Sequence, residues 1–170
     1  MCYFLYLATP LTLSEVRSML PSGLSADLAT FPDQRKLKSV HPAAQTVARI
    51  LAGRCSCDLV RPRLRDARED ERHLRERFRK LGVTRSLVIQ ALERHRQGAG
   101  PSLADGGPGA LSRFVAEHAR NAGTCLYHLQ FSPDASPLSG LGEVRRITVG
   151  LVTADPPGWL LEGTPTLVHR

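Results

Sequence analysis

The stretch CYFLYLA, from Cys2 to Ala8, places the first constraint on the fold. It is short, aromatic and apolar, and Thr9 and Pro10 close it, the signature of a buried strand. Thr12 and Glu15 follow at the spacing of a capping box, and Pro21 ends the short helix they open. Residues 22–40 read as irregular, with a turn of helix in SADLA. HPAAQTVARILAGR has Pro42 at a first turn, an apolar stripe of Val47, Ile50 and Leu51, and Gly53 as a C-cap, which predicts a helix. CSCDLV then reads as a turn leading into a second strand.

From Arg61 to Gly82 a narrow seam of Leu64, Ala67, Leu74, Phe78 and Leu81 predicts a charged helix, stopped by Gly82. Thr84 caps a further helix, and the two form a hairpin. Residues 97–109 are a Gly/Pro-rich loop without the Gly-Lys-Ser/Thr end of a phosphate-binding loop. LSRFVAEHARNAG is an amphipathic helix with Leu111, Phe114, Val115 and His118 on one face. TCLYHLQF and VRRITVGLV alternate as strands that pair antiparallel, and the tail GWLLEGTPTLVHR adds an edge strand. The order predicts an α+β single domain over 1–170, with a small mixed sheet of four to five strands covered by about five helices.

Composition bounds the function classes. At 170 residues the chain buries enough apolar surface to fold without metal or disulfides. Its net charge is +7, carried almost wholly by arginine. Such a balance permits attraction to nucleic acid, but at 5% aromatics the base-stacking side chains are few. No apolar run reaches the roughly 20 residues of a membrane span, and no basic n-region precedes Met1 to Ala8, so the expectation is a cytosolic protein with no membrane partner. In a reducing compartment, four cysteines point to metal, redox chemistry or burial before disulfides.

Three of the four lie in two short stretches, at Cys2 and in Cys55-Ser56-Cys57. In an extended segment Cys55 and Cys57 project to one face. If the first two strands are parallel neighbours, Cys2, Cys55 and Cys57 gather at one sheet edge. Thiolates so placed bind a soft or borderline ion, zinc by default, or form a redox site. Cys125 or His118 is the expected fourth ligand, with His41 and His128 weaker candidates. Buried packing is the plainer role for Cys125, and a core position for His118.

Removal of Met1 would leave Cys2 with a free α-amino group, a base for its own thiol. That opening resembles the Met-Cys-strand start of glutamine amidotransferases and related N-terminal-nucleophile hydrolases, over the first eight residues. The resemblance implies Cys2 as catalytic nucleophile, followed by a strand hairpin and a sandwich of sheets. Met1, Cys2, Leu5, Tyr6, Leu7 and Ala8, with the internal Cys55 and Cys57, are also similar to small bacterial proteins of unknown function. That likeness covers about the first sixty residues. It implies no activity, only that these cysteines belong together.

A nucleic-acid reading rests on the basic helix. Arg61, Arg63, Arg65, Arg68, Arg72 and Arg75 would meet phosphates, with strong salt dependence. Between Arg61 and Lys80 nine basic residues stand against five acidic ones, the mixture of a solvated, self-paired face. No serine–histidine–acid triad is readable, and oligomeric state is not encoded in any pattern here.

Overall fold

The structure, a computed structural model, describes residues 2–60, 72, 75–76, 78–80, 84–86, 88–89, 107–132, 137–138, 140–154 and 158–170, with the backbone alone at 2, 58 and 60. The chain divides into two compact units, Met1–Pro62 with Leu103–Arg170, and Arg63–Ser102. In the first unit the elements run β1 (Cys2–Thr9), α1 (Leu13–Met19), β2 (Leu24–Leu28), α2 (Phe31–Val40), β3 (Thr46–Ala52), α3 (Cys57–Val60), α4 (Gly107–Ala122), β4 (Cys125–Ser132), β5 (Arg145–Thr148), α5 (Val149–Ala154) and β6 (Thr166–His169). In the second unit residues 72, 75–76, 78–80, 85–86 and 88–89 are helical, and the Thr84 carbonyl accepts from the Val88 amide at 3.1 Å.

The architecture is α+β. Six strands form one mixed sheet in the order β2-β3-β1-β4-β6-β5, flanked by five helices among the described residues. Only β5 and β6 run parallel; the other neighbours are antiparallel. β1 is interior, and its residues alternate between two cores. Tyr3, Leu5 and Leu7 join Ile50, Tyr127, Phe114 and Trp159 on one face. Phe4, Tyr6 and Ala8 join Val47, Leu51, Leu126 and Leu37 of α2 on the other. A strand covered on both faces needs apolar residues at every position, which is why CYFLYLA shows no polar alternation.

The predicted capping box is present. Glu15 Oε2 accepts from the Thr12 amide at 2.7 Å, and Thr12 Oγ1 accepts from the Glu15 amide at 3.3 Å. α4 buries Leu111, Phe114, Val115 and His118 as its pattern predicts, but it starts at Gly107 rather than Leu111. Gly123, at φ +82°, ends it in a backbone region that side chains avoid.

Elsewhere the structure corrects the sequence reading. The expected helix over 41–54 is strand β3, whose Thr46, Val47 and Ile50 are β-branched and whose burial is nearly unbroken. Pro42 follows the C-cap of α2 at His41 instead of opening a helix. Residues 22–40 are not irregular; they hold β2 and α2, the latter announced by Thr30 at the N-cap and Pro32 in the first turn. β2 is a short outer strand and α2 is mostly charged, so neither carries a clear apolar period. VRRITVGLV splits into β5 and α5, and β6 lies between β4 and β5, so the expected β4–β5 hairpin does not form and the tail strand is interior. The sheet thus has six strands where four to five were expected.

Candidate functional site

The Cys-Ser-Cys segment is stitched to the end of the sheet by its serine. After β3 the chain turns at Gly53, φ +72°, and Cys55 bridges back to Ala52. Ser56 is fully buried. Its amide donates to the Tyr3 carbonyl at 2.8 Å, its Oγ accepts from the Leu5 amide at 2.8 Å, and its hydroxyl donates to the Ile50 carbonyl at 2.6 Å. One residue therefore joins β1 and β3 where their own ladder ends at Leu5 and Ile50.

The two flanking cysteines are half-buried and not in disulfides. Cys57 Sγ accepts a hydrogen bond from the Tyr3 amide at 3.3 Å. The CSC segment therefore meets β1 one residue from Cys2. The route differs from the expected one: β1 and β3 are antiparallel, so the end of β3 lies beside the start of β1. Cys55 and Cys57 also do not begin a strand. Cys57 opens α3, and the two thiols straddle the sheet end, Cys55 packing with the Phe4 and Leu51 core and Cys57 with the Tyr3 and Leu5 core. Among the described side chains, a set without that of Cys2, no group of three or more His, Cys, Asp or Glu stands together as metal ligands.

His118 and Cys125 meet each other at the opposite end of β1. Along an eight-residue strand that separation is about 20 Å. Cys125 Sγ lies 3.8 Å from Thr9 Oγ1 and 3.9 Å from His118 Nε2. Thr9 Oγ1 is 3.0 Å from His118 Nε2, and His118 Nδ1 is 2.6 Å from the Tyr127 hydroxyl. Phe114 stacks on the His118 ring at 5.3 Å, and Trp159 meets Tyr127 edge-on at 5.6 Å. Burial lowers the His118 imidazole to about 4 and raises the Cys125 thiol to about 12, the latter against a small opposing pull from Thr9. A neutral imidazole donates through one nitrogen and accepts through the other, so it links the two hydroxyls. This cluster is a polar joint inside the core, with a thiol held in its unreactive form.

The other histidines are dispersed. His128 lies on the α2 face of β4, lowered to about 4 by burial, and His41 caps α2, lowered by burial against a backbone bond to Thr124. Arg72 and Arg75 are helical and exposed, while Arg61, Arg63, Arg65 and Arg68 of the basic helix lie outside the described residues. The described strands all belong to one sheet, and a helix follows β1, unlike the hairpin and sandwich implied by the N-terminal-nucleophile resemblance. No described helix is long and apolar enough to cross a membrane.

Sequence reading missed two things here. One is Ser56, whose three hydrogen bonds decide where the thiols sit. The other is Asp33, buried in α2 and accepting from the Thr30 hydroxyl and the Leu138 amide, each at 2.7 Å. The Thr-x-x-Asp spacing of Thr30 and Asp33 was its available signal. Compared with known proteins, the chain matches no family model, no curated protein and no solved structure.

Proposed function

We propose that this protein carries a thiol site at the Cys2 end of its sheet, built from Cys2, Cys55 and Cys57, that holds a thiophilic metal ion, zinc by default, or cycles between thiol and disulfide. The observation that carries the reading is the 3.3 Å hydrogen bond from the Tyr3 amide to Cys57 Sγ, which ties residues far apart in sequence to one point of the fold. Two further features support it. Cys55 and Cys57 are both partly accessible, and Ser56 between them is locked to β1 and β3. Three thiolates with one exchangeable position form a coordination set that zinc accepts. The reading leaves out Cys125 and His118, which stand at the far end of β1 and bond to each other and to Thr9.

Native mass spectrometry with elemental analysis tests the metal form. One bound ion per chain is expected, lost in Cys57→Ser and kept in Cys125→Ser. The redox form is read by intact mass after mild peroxide, which should show loss of two hydrogens with Cys57 in the new disulfide. A metal-free chain whose Cys2, Cys55 and Cys57 alkylate independently, with no disulfide after peroxide, ends both forms.

A further inference from the structure

Buried polar groups are handled differently on the two faces of the sheet. On the α4 face they bond to one another: Thr9 with His118, His118 with Tyr127, and Trp159 Nε1 to Ser112 Oγ at 3.2 Å. On the α2 face Arg49 Nε, His128 Nδ1 and Ser132 Oγ are buried with no hydrogen-bond partner among the described residues, and His41 Nε2, just past α2, is a fourth such atom. Buried polar atoms are nearly always bonded, so these atoms are open to a partner other than the described residues.

Two of these groups stand in register. Tyr6 faces Arg49 on β3 and His128 on β4, so the three lie side by side across adjacent strands. The Tyr6 and His128 rings are 6.4 Å apart, and the Arg49 guanidinium sits 5.8 Å from the Phe4 ring centre. Arg49 forms no ion pair among the described residues. Asp27, opposite it on β2, leans toward Arg17 at 3.8 Å. Asp33, beside the Tyr6 hydroxyl, already accepts from Thr30 and Leu138. Leu37 of α2 and Leu138 both pack on this face. Leu138 buries its side chain among Phe4, Tyr6 and Leu126, and α2 grips its peptide from both sides, Asp33 taking the amide and the Lys36 ammonium giving to the carbonyl.

We propose that the α2 face is a binding site for a small molecule bearing an oxyanion, carboxylate or phosphate, with Arg49 as its charged donor, His128 as a second polar contact across Tyr6, and Leu138 as part of its cover. Arginine supplies a planar donor suited to either anion. The site is independent of the thiols and stands or falls without them.

The test is an NMR titration of the full chain with inorganic phosphate and, separately, with acetate at constant ionic strength. A saturable shift of the His128 ring resonances is expected with at least one probe, with none at His118. Arg49→Gln should weaken it by at least about tenfold, Arg49→Lys should weaken it less, and Asp27→Asn should leave it unweakened. Response to phosphate alone or acetate alone assigns the anion. No saturable shift of His128 with either probe overturns the proposal. So does equal affinity in both Arg49 variants and the parent, or an experimental structure, soaked with both probes, in which water alone meets Arg49 Nε and His128 Nδ1.

Discussion

The amide of Tyr3 donates to the sulfur of Cys57 across 3.3 Å, although the two residues are 54 positions apart. That bond exists because β1 and β3 are antiparallel neighbours, and because Ser56 fastens the turn after β3 to the Tyr3 and Leu5 peptides. The thiols are thereby part of the sheet's end rather than of a free loop, and several measurable consequences follow from their setting and from the two buried cores.

Ser56→Ala should destabilise the protein by about 2–3 kcal/mol, because the Leu5 amide and Ile50 carbonyl lose a buried partner. Urea denaturation followed by circular dichroism reads the loss. The same variant should change the alkylation rate of Cys57 relative to Cys125, since only Cys57 depends on the stitched turn for its place beside Tyr3.

Thiol accessibility should divide the cysteines. Cys55 and Cys57 are half-buried, whereas Cys125 is fully enclosed and its thiol is pushed up to about 12 by burial. Iodoacetamide labelling of the native protein, mapped by mass spectrometry, should modify Cys125 roughly two orders of magnitude more slowly than either of the others. Denaturant should abolish the difference. Comparable rates in the folded protein would place Cys125 in a far more open setting than the Thr9–His118–Tyr127 joint.

Acid should weaken the fold through its two buried histidines. His118 and His128 are each lowered by burial from 6.5 to about 4. Over that range the unfolded chain binds protons that the folded chain refuses, so stability present above about pH 6.5 is lost as pH falls toward 4. Each ring accounts for at most about 3 kcal/mol of the loss. Urea midpoints measured across the range should fall with pH, and the slope should shrink in His118→Gln. A flat profile would contradict the buried, neutral state of both rings.

Thr12→Ala should cost about 1 kcal/mol, because α1 loses the side-chain cap that Thr12 and Glu15 share. Denaturant midpoints check the value. Glu15, lowered chiefly by its Thr12 hydrogen bonds, should move back up toward the ordinary carboxylate range in the variant, visible by carbon-detected titration.

Local patterns in the sequence were sound guides where burial and capping are local matters. The apolar run at β1, the capping box of α1 and the apolar face of α4 all state which residues are inside and where a helix starts. They failed at β3 for a specific reason. Thr46 to Ala52 is covered on both faces, so its apolar residues fall at helical as well as strand spacings, and Pro42 imitated a helix start when it followed a helix end. β5 and α5 read as one strand because Val149 and Leu151 continue the apolar alternation of β5 through the point where the chain coils into α5.

What the sequence determined by itself is the identity of the interior: the residues of β1, the buried face of α4, the capped start of α1, and the cysteines worth asking about. What only the tertiary structure decided is adjacency. It set β6 between β4 and β5, turned β3 antiparallel to β1, brought Cys57 to Tyr3, sent Cys125 and His118 to the opposite end, and lined up Arg49, Tyr6 and His128. The physical reason is that burial and capping are written in residues a few positions apart, whereas strand order, direction and register arise from pairings between distant segments whose energies depend on all the others at once.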